Sequence, residues 1–182
     1  MEGARAGAFF LPQDPRPMTV SKESFRKTLG KFASGVTVVT VDRSDGKVHG
    51  MTANAFSSVS LDPLLALVCL DHRSRTLPLV QKQKRFGVNV LGQHQRAVAD
   101  YYARSSQDHE TGHRLGIRYT FTKRGTPLIE HALAQFDCKL AATHVEGDHT
   151  IVIGEVEQAA VHEGRPLLFF GGKYHTLGGV PH

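Results

Sequence analysis

Val36-Thr37-Val38-Val39-Thr40-Val41, then Asp45-Gly46, then Val48-His49-Gly50-Met51-Thr52 is the stretch that decides the fold class. Six consecutive β-branched side chains lose rotamer freedom in a helix and pack well on a pleated sheet, so the first segment is a strand. Asp-Gly supplies the left-handed backbone of a tight turn, and a second strand begins at Val48 and ends near Thr52. The unit is an antiparallel hairpin.

Upstream, Ser21 is a helix N-cap with Glu23 in the first turn and Phe25, Leu29 and Phe32 at helical spacing; Gly35 is the predicted stop. Downstream, Leu64 to Leu70 is a short apolar run after Pro63 and reads as a buried strand. A short helix is predicted from Ser74 or Thr76 to Lys84, a strand over Phe86–Leu91, and a helix from about Gln93 to Arg104. Ser105 to Arg118 is polar and irregular. Ala134 to Val145 and Thr150 to Val161 alternate as two antiparallel strands around Gly147-Asp148, and Leu167 to Phe170 is a last strand. Strands in hairpin order, outnumbering helices, predict a closed antiparallel barrel with a few flanking helices and exclude a doubly wound nucleotide fold.

The 182 residues with 40% hydrophobic content suit one core, and residues 1–20, with three prolines, are predicted to be a loose N-terminal arm before a single domain at residues 21–182. Cys69 and Cys138 stand alone in apolar runs, which excludes a CxxC redox pair and a cysteine zinc site. With no apolar leader or membrane-length run, the chain reads as a soluble protein of the reducing cytoplasm. The net charge of +5 comes from basic residues scattered over several elements, without interleaved aromatics, so nucleic-acid binding is not expected.

Among 11 histidines, His109-Glu110-Thr111-Gly112-His113 matches a zinc-protease pattern, but Ser105, Ser106 and Gly112 deny it the helix that would place both imidazoles on one face. No metal site is predicted. Gly-rich phosphate loops and a Gly-x-Ser-x-Gly nucleophile elbow are absent from the sequence. Three clusters carry possible chemistry. Gly50 to Ser60 is small and hydroxyl- or amide-bearing, which suits either close approach of a flat ring or a Ser/Thr-rich hairpin turn. Asp71-His72-Arg73-Ser74-Arg75-Thr76 opens a helix and reads either as a phosphate site or as an N-cap with exposed arginines. Gly147-Asp148-His149 is a turn whose His begins a strand.

Together the clusters resemble one family. Phe25-Arg26 with Gly30-Lys31-Phe32-Ala33-Ser34-Gly35-Val36-Thr37-Val38-Val39-Thr40, then Val48-His49-Gly50-Met51-Thr52-Ala53-Asn54-Ala55-Phe56, Ser58-Val59-Ser60-Leu61-Asp62-Pro63 and Val88-Asn89-Val90-Leu91 carry the likeness first. Ala132-Leu133-Ala134, Gly147-Asp148-His149-Thr150 with Gly154-Glu155-Val156, and Pro166-Leu167-Leu168-Phe169-Phe170-Gly171-Gly172-Lys173-Tyr174-His175 complete it. In order and spacing the chain resembles, over roughly residues 21–178, the short flavin reductases that serve two-component aromatic monooxygenases of the phenol and 4-hydroxyphenylacetate type.

The resemblance implies a mainly β, Greek-key, split antiparallel barrel of the FMN-binding type, paired as a homodimer. It implies an NAD(P)H:flavin oxidoreductase that reduces FMN or FAD with NADH or NADPH and supplies reduced flavin to a partner monooxygenase. By the same analogy Thr52, Ala53, Asn54, Ala55 and Phe56, with Ser58 and Val59, would line the isoalloxazine and ribityl chain. Arg73, Ser74, Arg75 and Thr76 would hold phosphate, and Asn89 would sit near the flavin. His149 would be catalytic and would flank the nicotinamide with Tyr174. Hydride transfer needs no acid–base triad because the cofactors carry the chemistry, in keeping with the absence of one. The rival readings are a non-catalytic flavin-binding or electron-carrier module on the same barrel, and a basic small-barrel nucleic-acid binder.

Overall fold

The computed structural model describes residues 20–104, 112 and 115–178. Its helices are α1 (Lys22–Leu29), α2 (Thr76–Gln83) and α3 (Arg96–Tyr102), the last preceded by a 3-10 turn at Gln93–Gln95. Its strands are β1 (Ser34–Gly35), β2 (Thr37–Asp42), β3 (Val48–Ala53), β4 (Phe56–Leu61), β5 (Leu64–Asp71) and β6 (Arg85–Val90), followed by β7 (Tyr119–Phe121), β8 (Pro127–Ile129), β9 (Ala134–Glu146), β10 (His149–Val161), β11 (Leu167–Phe170) and β12 (Lys173–Thr176).

The hairpin that decided the fold class is present: β2 pairs antiparallel with β3, Thr37 opposite Ala53 and Asp42 opposite Val48. Both faces of β2 are buried, with Val39 and Val41 in one core and Val38, beside Val36, in another. A strand without a solvent face has no polar alternation, hence the unbroken β-branched run. Seven strands form one antiparallel sheet in the order β3-β2-β6-β9-β10-β5-β4, flanked by a three-stranded sheet, β1-β11-β12, and the β7-β8 pair. The outer strands β3 and β4 are joined by only Asn54 and Ala55, so the sheet must curl until its two edges meet at that corner. No ladder among the described residues pairs β3 with β4, so the sheet is curled but not closed by hydrogen bonds.

Three differences from the sequence reading are instructive. First, α1 is capped by the Ser21 hydroxyl, which accepts from the Ser24 N–H at 3.0 Å, but it ends at Gly30, not Gly35. Gly35 is instead paired across to Leu168 in β1. Phe25 and Leu29 keep their helical spacing while Phe32 lies beyond the cap, yet α1 buries nothing and Phe32 is 79% exposed. Second, the hydroxyl-rich run after Ala55 is a strand, β4, on the sheet's edge; its exposed side tolerates serines, which hid it from a hydrophobicity pattern. Third, β1, β7, β8 and β12 are two to four residues long, too short for a periodic signal. The residues predicted as an N-terminal arm, apart from Val20, and the pair His109 and His113 lie outside the described residues.

Candidate active site

The edges of the sheet and the start of α2 surround an open cleft of about 650 Å³, lined by His49, Thr52, Arg73, Ser74, Arg75, Thr76, Tyr102 and Arg104 among others. Its floor is possible because Gly50 carries no side chain: a Cβ there would stand 2.5 Å from a ring carbon of Tyr102. Thr52 also borders a second space of about 270 Å³ with Asn54, Phe169 and Tyr174. Its hydroxyl donates to the Ala99 carbonyl at 2.7 Å, which ties β3 to α3. On the other side, Asp71 and Arg73 are shared with a third cleft of about 560 Å³ that holds His149, Asp148 and, from α1, Lys22, Phe25 and Arg26. The three spaces share walls and make one continuous surface.

The cationic turn divides in two. Arg73 is committed: its Nη2 donates to Asp71 Oδ2 at 2.6 Å and its backbone N–H to Asp71 Oδ1 at 2.8 Å. Those hydrogen bonds hold the Asp71 carboxyl well below the usual carboxylate range. Arg75 and Arg104 have no ion-pair partner among the described residues. Arg75 is also the N-cap of α2 and gives it no side-chain cap, while the Leu77 N–H reaches Ser74 Oγ at only 3.4 Å. The cleft beside the start of α2 therefore holds two uncommitted guanidiniums, which is a place for phosphate oxygens.

His49 was not among the sequence candidates, yet it lines this cleft, 3.0 Å from the Thr76 hydroxyl through Nε2. Burial first, then the nearby Arg43 and Arg75 charges, push its pKa down to about 4, so it is a neutral hydrogen-bonding group at pH 7. Position just before a Gly on an edge strand was the available signal, and a lone His there carries little weight. Opposite, His149 begins β10 across from Asp71, and its Nδ1 lies 2.7 Å from Asp148 Oδ1. That contact orients the ring and draws the Asp148 carboxyl downward.

Of the sequence-predicted residues, Thr52, Asn54, Arg73, Ser74, Arg75, Thr76, Tyr174 and His149 line this joined surface. Thr76 does so with its side chain buried against His49. Ala53 is buried in β3, Phe56 packs against the core beside Phe136, and Ala55, Ser58 and Val59 are exposed along the β3–β4 edge. Asn89 must be corrected. It is 0% exposed, its Nδ2 donates to the Val38 carbonyl and Thr40 Oγ1, each at 3.0 Å, and its Oδ1 accepts the Ile129 N–H at 2.7 Å. Its amide is spent stitching β2, β6 and β8 together, so it offers nothing to a flavin. Among the described residues no group of three or more His, Cys, Asp or Glu side chains is placed to hold a metal ion, and no helix is long and apolar enough to cross a membrane.

An antiparallel β-protein with small residues and an amide at a sheet corner, free cations at a helix start and an oriented histidine nearby defines a class that binds flat, phosphorylated heteroaromatics. Residues 29–178 match the family model described as flavin reductase like domain, and the chain belongs to that family. It is 40% identical over 154 residues to an NADH-dependent flavin reductase of a Rhodococcus species, covering 84% of each chain. It is 35% identical over 158 residues to HsaB, the reductase subunit of a flavin-dependent monooxygenase of Mycobacterium tuberculosis, covering 85% of this chain and 82% of that one. Among solved structures, the Streptomyces globisporus NADH:FAD oxidoreductase SgcE6, in complex with NAD and FAD fragments, superposes with a TM-score of 0.78 at 33% identity, over 86% of this chain and 93% of that one.

Proposed function

We propose that this protein is an NAD(P)H:flavin oxidoreductase that reduces FMN or FAD and supplies the reduced flavin to a separate monooxygenase. The observation that carries the reading is the continuous surface from Asn54 and Tyr174, through Arg75 and Arg104, to His149. The polar and aromatic set suits a flavin: the Asn54 amide, the aromatic ring at Tyr174, and uncommitted guanidiniums beyond them. When bound there, a flavin would supply the hydride acceptor.

The chain's own residues bind, orient and hold charge. Asn54 and the backbone around the β3–β4 corner hydrogen-bond a ring edge. Arg75, Arg104 and the start of α2 hold phosphate, while His49 stays neutral and keeps Thr76 in place. His149, fixed by Asp148, presents its ring to the nicotinamide, with Tyr174 completing the flank. Hydride transfer between two such rings would need positioning more than proton transfer.

The curled sheet, its edges joined at Asn54-Ala55, supports a split antiparallel Greek-key barrel. A homodimer is supported by apolar side chains that this chain alone leaves open at the β4–β5 tip, with Leu61 86% and Leu64 52% exposed. Two free thiols suit the reducing cytoplasm. The test is a kinetic matrix of NADH and NADPH, each with FMN and FAD, in air. Nicotinamide oxidation that depends on added flavin is the expected result, and none with any of the four pairs overturns the reading.

A further inference from the structure

His149 sits at the tip of a hairpin, where a backbone is least held. Gly147, at a φ of +60°, and Asp148 make the turn between β9 and β10, and β10 begins at His149 itself. The ladder to β5 runs out at the same place, its last pair setting Asp71 opposite His149. A side chain at such a corner keeps one direction only if something beyond the ladder holds its backbone.

His72, the first residue after β5, holds it from two sides. Its backbone N–H donates to the Asp148 carbonyl at 3.0 Å, and its imidazole Nε2 lies 3.1 Å from Thr150 Oγ1. These contacts fall on the residues immediately before and after His149. Thr150 is buried, so its hydroxyl needs a partner, and that partner is His72. The flanking residues of this turn are spent on each other, Arg73 on Asp71, while the His72 ring reaches across to β10. Asp148 in turn orients the His149 ring, 2.7 Å from its Nδ1. The chain of contacts therefore runs from His72 to Asp148 and Thr150, and from them to His149.

We propose that His72 is a positioning residue for His149. It pins the Asp148 peptide through its backbone and Thr150 through its imidazole, and so fixes the direction from which the His149 ring is presented. The inference rests on the placement of the nicotinamide at His149. A misplacement of about 1 Å at a reacting centre can cost about 100-fold in rate, so a looser corner has a measurable price even when the fold is intact.

The backbone bond survives any substitution except proline, so side-chain variants read the imidazole alone. The His72 side chain is exposed, and its loss opens no cavity in the core. In His72→Ala, kcat/KM for NADH is expected to fall about 10-fold with the flavin Kd unchanged. His72→Gln, whose amide can take the place of Nε2, is expected to stay within about twofold of wild type. Thr150→Val removes the same contact from its other end, so the double variant His72→Ala/Thr150→Val should lose no more than either single one. In a His149→Ala background, His72→Ala is expected to change kcat/KM by less than about twofold. The same 10-fold loss in that background, additive losses in the double variant, equal losses for Gln and Ala, or an unmoved kcat/KM in His72→Ala would each overturn the proposal.

A second measurement separates the proposal from the reading it rests on. In protein carrying 13C-labelled histidine, relaxation of the His149 ring signal, assigned by its disappearance in His149→Ala, reports how firmly the ring is held. The ring is expected to be more mobile in His72→Ala and as rigid as wild type in His72→Gln. If His149→Ala oxidises NADH at the wild-type rate, the nicotinamide placement fails, and ring mobility still decides the role of His72. A ring equally rigid in His72→Ala overturns it.

Discussion

Two arginine–carboxylate clusters of nearly equal bond length border the same sheet in opposite surroundings. Arg85 on β6 reaches Asp137 on β9 at 2.7 Å and Glu157 on β10 at 2.6 Å, with Thr126 adding a hydroxyl to Asp137 Oδ1 at 2.6 Å. Arg73 reaches Asp71 at 2.6 Å, with Asp148 and His149 beside it. Asp137 is 0% exposed, while the Arg73 side chain is 88% exposed. Distance does not tell the two clusters apart. Burial does, together with whichever charges remain uncommitted nearby.

The sharpest way to break this contrast is Arg85→Gln. It leaves the Asp137 carboxylate buried with only the Thr126 hydroxyl, and removing one partner of a buried pair costs about 3–5 kcal/mol. Urea unfolding is expected to show a loss of that size with flavin affinity unchanged in the folded protein. A loss under about 1 kcal/mol would put the cluster on a par with an exposed pair.

Asn89→Leu follows. It orphans the buried Ile129 N–H and removes the donor to Thr40, at about 1–3 kcal/mol per buried group left unpaired. Stability should fall and the flavin Kd should hold. A flavin Kd weakened in proportion would return Asn89 to the site.

The contrast also explains what the sequence made legible. The seven-stranded sheet was readable where strands are buried and β-branched, as in β2, or long and alternating, as in β9 and β10. The β3–β4 corner, the Arg75 turn and His149 stood out in the sequence only as candidate clusters, and it was the family resemblance, not their composition, that gave them site roles. What stayed hidden depends on the third dimension. Nothing in Val88-Asn89-Val90 says that the amide points inward onto β2 and β8. Nothing in Asp71-His72-Arg73 says that one of two arginines is already spent on a carboxylate two residues away. Phe25, Leu29 and Phe32 gave the right helix and the wrong inference about burial, because periodicity reports an apolar face and not what covers it.

His49 gives a smaller effect with a defined pH window. Its ordinary pKa near 6.5 falls to about 4 in the folded chain, so between those values the unfolded chain binds more protons and stability drops as pH falls. Above about pH 6.5 the contribution of neutral His49 is fully present. With its partial exposure discounted, the window is worth about 1–2 kcal/mol. The wild-type minus His49→Gln difference in unfolding free energy should therefore shrink or change sign from pH 7 to pH 4, and a pH-independent difference would show that His49 does not titrate as its surroundings dictate.

The mildest change tests the rim itself. Asp71→Asn removes the carboxylate that holds Arg73 and costs little in an exposed pair, so the thermal midpoint should stay close to wild type. What should move is ligand choice. A guanidinium released beside Arg75 adds a third uncommitted cation to the phosphate end of the cleft, so FMN is expected to bind about two- to five-fold more tightly while riboflavin, without a phosphate, binds as before. If both flavins shift together, Asp71 acts on the ring pocket and not through Arg73. If stability falls as far as in Arg85→Gln, the exposed pair supports the fold as the buried one does, and burial is not what separates them.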